Sequence, residues 1–90
     1  MEFEWDENKR RQVQARRRLD FEDAQLLFDG RLCYDIPSDR DGETRFRRVG
    51  VIDGRMMTVV WTPRGTNVYR IISMWKSSHA EIREYRSVHG

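Results

Sequence analysis

"MMTVVWTPRGTNVYRIISMW", Met56–Trp75, decides the fold. It holds two apolar runs, "MMTVVWT" and "VYRIISMW", parted by the turn "PRGTN". Runs this rich in β-branched and aromatic residues suit strands covered on both faces, so the pair reads as central antiparallel neighbours. Upstream, "ETRFRRVGVI" is a further strand, joined to the first run by Asp53-Gly54, a favoured two-residue hairpin dipeptide. "LCYDI" is a short strand before it, and "PSDRDGE" is a loop or turn. Downstream, Ser78 caps a last helix, and Glu81 three residues on completes a capping box.

The N-terminal third has a different rhythm. "EFEW" (Glu2–Trp5) alternates and reads as a short strand. Asp6 caps a helix from Glu7 to Arg17 whose only apolar residues are Val13 and Ala15, so that helix lies on the surface. In "LDFEDAQLLF", Asp20 is the N-cap, and Asp23 sits where a capping box places its acid. Phe21, Ala24, Leu27 and Phe28 recur at helical spacing and form one buried face, and Gly30 stops the helix in the left-handed region. The expected fold is α+β, one antiparallel sheet of about four strands with two N-terminal helices and one C-terminal helix packed on it.

Ninety residues allow one core, so residues 1–90 read as a single domain. Only 38% of them are hydrophobic and 36% are charged, which implies a thin core under a crowded ionic surface. Arg outnumbers Lys fifteen to two, and the planar guanidinium suits a phosphate-bearing partner, although a high-GC coding bias yields the same excess. Cys33 stands alone, excluding an internal disulfide and a Cys-rich metal site. Neither a signal-like nor a membrane-length apolar run occurs, and a cytoplasmic protein is expected.

The ordered series "FEWDENK", "FEDAQLLFD", "GETR", "VVWTPRG" and "RIIS..K....E...Y" resembles the BrnT family of type II toxins. The resemblance runs from Phe3 to Tyr85. It implies a RelE-like fold and a ribonuclease that inhibits translation. It also implies a BrnA-like antitoxin with a ribbon-helix-helix domain, through which alone the pair binds operator DNA and represses its operon. Two positions depart from the family pattern: Arg17 stands where a His is usual, and Trp75 where an Arg is usual. Both departures remove groups able to contact RNA and point to weakened cleavage.

Metal-independent RNA cleavage needs a base for the ribose 2′-hydroxyl, cations for the charge growing on phosphorus, and an acid for the leaving 5′-oxygen. With the resemblance, these needs select Lys9, Glu43, Arg45, Arg64, Lys76 and Tyr85 for catalysis. They select Arg16, Arg17, Arg47, Arg70, Trp75 and His79 for RNA contact, with no metal and no cofactor. Alternation puts Arg70, Ile72, Met74 and Lys76 on one face of their strand, with Tyr69, Ile71, Ser73 and Trp75 on the other.

Plainer roles stand beside these. Glu43 can simply pair with a neighbouring Arg, Arg45 and Arg47 can be a solvent face, and Tyr85 can belong to the core. Glu81 is explained by its cap, and Trp75 stacks on a base or packs against the last helix or the antitoxin. Like charges along Arg10–Arg18 repel, so nearby acids or an anionic partner must offset them. Two rival functions remain open, an inactive co-repressor that binds the antitoxin and a non-cleaving module for RNA, possibly at the ribosome.

Overall fold

The two apolar runs become the middle of a five-stranded sheet. The computed structural model describes all 90 residues, and its strands are β1 (Glu2–Trp5), β2 (Cys33–Pro37), β3 (Phe46–Ile52), β4 (Arg55–Arg64) and β5 (Val68–Lys76). Their order across the sheet is β1-β5-β4-β3-β2. Every residue of β4 from Met57 to Thr62 is buried, as a strand covered on both faces requires. The helices are α1 (Glu7–Arg17), α2 (Phe21–Ala24) and α3 (His79–His89).

The expected antiparallel sheet of about four strands is corrected on two counts. There are five strands, and β1 runs parallel to β5, with Glu2 beside Val68 and Trp5 beside Ile71. Alternation in "EFEW" identifies a strand, but it carries no information about a partner so distant in the chain. Beyond Ile71 the β5 edge lacks a strand neighbour, and α1 lies along it. There Arg17 donates to the Met74 carbonyl (2.9 Å), satisfying an acceptor that the missing strand would otherwise take.

A bulge corrects the face assignment in β5. Val60 pairs with Ser73 but Trp61 pairs with Ile71, leaving Ile72 as the extra residue. Past that point the alternation slips by one. Arg70 lies opposite Thr62 and Trp75 opposite Thr58, whereas Lys76 lies opposite the core residue Met57. Arg70 and Lys76, expected on one face, therefore occupy opposite faces.

The second helix is shorter than its periodicity suggests. After the single turn of α2, residues Gln25–Phe28 tighten into a 3₁₀ turn. Asp20 accepts the N–H of Glu22 through its side chain (3.0 Å), while its carbonyl takes the N–H of Asp23, so no capping box forms there. The expected apolar face survives, because Phe21, Ala24, Leu27 and Phe28 are all buried. They join Val13, Trp61, Ile71 and Met74 in the core on this side of the sheet. The Arg48 guanidinium sits 4.2 Å above the Phe28 ring and is held by both oxygens of Asp35, at 2.9 Å each.

On the other face α3 covers β2 and β3 and leaves the β4–β5 surface open. The Ser78–Glu81 capping box forms as expected. Glu81 does much more, however: at 3% exposure it also accepts from Thr58 Oγ1 (3.0 Å), Trp75 Nε1 (3.1 Å) and Arg47 Nη1 (2.8 Å). Burial alone would raise its pKa, but the bonds from Ser78, Trp75, Arg47 and Thr58 outweigh burial and hold it below the usual 4.5.

Two stability predictions follow from this packing. At Gly50 an added Cβ would stand 2.8 Å from Leu27 Cδ2 and 3.2 Å from the Leu32 carbonyl oxygen. Leu27 is fully buried, so a shift of its side chain disturbs the packed core. Gly50→Ala should lower unfolding free energy by about 1–3 kcal/mol in a urea titration. Glu81, with its depressed folded pKa, stabilises fully above 4.5 and ceases to do so as pH falls through the folded value. Melting temperature should therefore drop on acidification, and Glu81→Gln should start lower at neutral pH and show a shallower acid loss.

Candidate active site

The open face of the sheet carries a groove whose floor is β4 and β5. Its rims are α1 with its Asp6 cap on one side and the loop over residues 38–45 on the other. Two adjoining clefts of about 270 and 340 Å³ make it up, sharing Lys9, Arg45 and Ile72. Seven cationic side chains line the pair (Lys9, Arg17, Arg40, Arg45, Arg47, Arg64 and Arg70), against two carboxylates, Asp6 and Glu43. That imbalance in a concave, partly desolvated surface concentrates positive potential along it.

Local structure aims each of these groups. Asp6 caps α1 by accepting from the N–H groups of Asn8 and Lys9 (2.8 and 3.3 Å), so the first turn of α1 delivers Lys9 to the rim. The opposite rim is an extension of the β2–β3 hairpin. Arg40 and Glu43 exchange backbone hydrogen bonds (3.0 and 2.8 Å) around Asp41-Gly42, whose φ values of 51° and 80° are those of a type I′ turn. The turn brings Glu43 and Arg45 over the floor strands, where Arg64 and Arg70 wait.

In the first cleft Glu43 is the organiser. Its Oε1 accepts from Arg45 Nε at 2.6 Å, and Oε2 lies 4.0 Å from Arg64 Nη2. The hydrogen bond from Arg45 lowers its pKa most; burial opposes this, and the fields of Arg45, Arg64 and Arg70 reinforce it. Glu43 is thus ionised at neutral pH and aligns guanidinium groups more readily than it takes up a proton. Arg70 is held by Glu4 of β1 at 2.7 Å, while Lys9 has no carboxylate partner. A phosphodiester placed here would meet several fixed cations at once.

The second cleft contains no carboxylate. Arg17 donates to Ser73 Oγ (3.2 Å) and to the Met74 carbonyl, and its guanidinium carbon lies 5.8 Å from the Trp75 ring centroid. Glu81 holds both Arg47 and Trp75 from behind. The indole therefore docks against the capped start of α3, one of the plainer roles expected of it.

Of the residues singled out from sequence, the groove gathers Lys9, Arg17, Glu43, Arg45, Arg47, Arg64, Arg70 and Trp75. Four lie elsewhere. Lys76 is exposed on the face that carries α2, and His79 is exposed in the first turn of α3. Arg16 flanks a dimple on α1, and Tyr85 packs at a tilt against His89 (ring centroids 4.9 Å apart) beside a shallow depression lined by Leu32 and Val51. The groove also holds Asp6, Ser38, Arg40, Thr62 and Ser73, which sequence reasoning passed over. Asp41-Gly42 was a usable signal for Arg40: it is the same dipeptide that marks the Asp53-Gly54 hairpin.

With this geometry in view, known proteins locate the chain. The family model described as "Ribonuclease toxin, BrnT, of type II toxin-antitoxin system" matches residues 5–81. The 1.1 Å crystal structure of the Brucella abortus ribonuclease toxin BrnT aligns with a TM-score of 0.71 at 28% identity, covering 88% of this chain and 99% of that one. No curated protein sequence matches it significantly. The family match reaches from Trp5, just before the Asp6 cap, to Glu81, which holds the far end of the groove, so this chain belongs to the BrnT family of ribonuclease toxins of type II toxin–antitoxin systems.

Proposed function

We propose that the chain is a metal-independent endoribonuclease of RelE-like type, cytoplasmic and inhibitory to translation, with the groove as its catalytic site. The ribose 2′-oxygen attacks phosphorus, the P–O5′ bond breaks, and the products carry a 2′,3′-cyclic phosphate and a 5′-hydroxyl. The observation that carries this reading is the convergence of Lys9, Arg45, Arg64 and Arg70 on one cleft around an ionised Glu43. Fixed guanidinium groups stabilise the extra charge on phosphorus without reorganising during the step. Asp6, Lys9 and Glu43 are the groups of the groove that can exchange a proton with the RNA, and Glu43 chiefly holds Arg45 in line. Arg17, Arg47, Arg70 and Trp75 seat the flanking nucleotides.

Lys76 and Tyr85 open away from this cleft, so catalytic roles for them lack geometric support. Arg16 and His79 are proposed as outer RNA contacts away from the groove. The proposed partner is a BrnA-like ribbon-helix-helix antitoxin that blocks the groove and carries the pair to operator DNA for autorepression.

A second reading, a weak or inactive relative serving mainly as co-repressor, draws on one observation. Arg17 and Trp75, the two departures from the family pattern, are both engaged by the protein's own Ser73, Met74 and Glu81. Incubation of the purified chain with a defined RNA in excess EDTA separates the two. Cleavage with cyclic-phosphate ends supports the enzyme, and intact RNA from a chain that still binds its antitoxin and represses the operon supports the co-repressor. If cleavage occurs, Arg45→Ala and Arg64→Ala should each reduce the single-turnover rate by about 10²–10³. Lys76→Ala should stay within about threefold, since it lacks that electrostatic role.

A further inference from the structure

The second cleft differs from the first in a way that bears on substrate choice. It combines apolar wall from Trp75, Val60 and Ile72 with polar groups that are almost entirely donors. Its hydroxyls are Ser38 and Ser73, and Ser73 already accepts from Arg17. Arg47 is the best-placed reader. Only its Nη1 is engaged, by Glu81 at 2.8 Å, which leaves Nε and Nη2 unspent on a guanidinium fixed from behind. Trp75 is fixed from behind by the same carboxylate, through its indole N–H at 3.1 Å. One buried anion thus immobilises a flat stacking surface and a two-pronged donor at the same cleft.

Resting on the ribonuclease reading above, we infer that this second cleft is a nucleobase subsite selective for guanine. A volume of about 340 Å³ accommodates a purine, and stacking on an aromatic ring does not by itself distinguish bases. Hydrogen bonding does. Guanine presents two adjacent acceptors, O6 and N7, which match the fork of an Arg. Adenine sets an amino donor beside N7, and cytosine offers an amino donor as well, and the cleft has no carboxylate to receive either. Uracil is smaller and stacks less well. The shared Lys9, Arg45 and Ile72 make the cleft continuous with the phosphate-binding half, so the base read would lie next to the scissile bond.

Arg47→Lys is the decisive substitution, because it keeps the positive charge and the pairing with Glu81 while removing the planar fork. The readout is deep sequencing of RNA ends after limited cleavage of a randomised pool. Guanine should be enriched at one position flanking the cut on the order of tenfold or more, the scale of a two-pronged base contact. Arg47→Lys should erase most of that enrichment among whatever cleavages remain, and Trp75→Phe should keep it. A different preferred base, no preferred base, or enrichment untouched by Arg47→Lys overturns the inference, and the absence of any preference makes the cleft a second phosphate cradle.

Binding of four short 2′-deoxy-blocked RNA oligomers, differing in one base, supplies an arm independent of catalysis. Selective binding of the guanine oligomer without any cleavage of unblocked RNA would remove the ribonuclease reading and keep this one. Equal binding of all four by a chain that cleaves would do the reverse.

Discussion

A single buried carboxylate, Glu81, organises one end of this molecule. Its oxygens receive the Ser78 N–H that starts α3, the Thr58 hydroxyl on β4, the Trp75 indole on β5 and the Arg47 guanidinium on β3. Taking a carboxylate out of water is unfavourable by several kcal/mol, and only good geometry at every lone pair offsets it. Here each bond comes from a different element, so the compensation holds only when helix and strands sit in their native relation. A residue that local sequence explains as a helix cap thus joins fold and groove.

The cations of the groove follow the same logic with less burial. Crowded guanidinium groups repel one another, and the molecule tempers this by giving several of them one carboxylate each. Arg45 has Glu43, Arg70 has Glu4 and Arg47 has Glu81. Each pairing occupies part of an Arg and leaves other N–H groups free, so the side chains are oriented without being neutralised in the direction of the cleft. The cost of self-repulsion along α1 is met similarly: Arg10 is shared by Glu7 and Asp20, and Arg17 is drawn onto the β5 edge. Internal partners account for these two cations without a bound one.

A preorganised cationic surface of this kind is electrostatically strong and modest in proton-transfer chemistry. Its carboxylate Glu43 is stabilised in the charged form by the same arginines that it orients. Both histidines lie outside it, with His89 bonded to the Cys33 carbonyl (2.8 Å). Charge stabilisation is therefore the larger physical resource of the groove.

Much of this was legible along the chain. The central strands, the Asp53-Gly54 hairpin, the Asp6 and Ser78 caps, and the buried face of Phe21, Ala24, Leu27 and Phe28 all follow from periodicity and local hydrogen bonding, which act over a few residues. The family series in the sequence also pointed to Lys9, Glu43, Arg45, Arg64 and Arg70, all of which the groove gathers. Three matters were decided only in three dimensions: the parallel partner of β1, the bulge at Ile72 that parts Arg70 from Lys76, and the convergence of four elements on Glu81. Strand partners and side-chain networks depend on which surfaces become neighbours when the whole core closes. Short-range patterns fix what a segment becomes, whereas long-range packing selects what it touches.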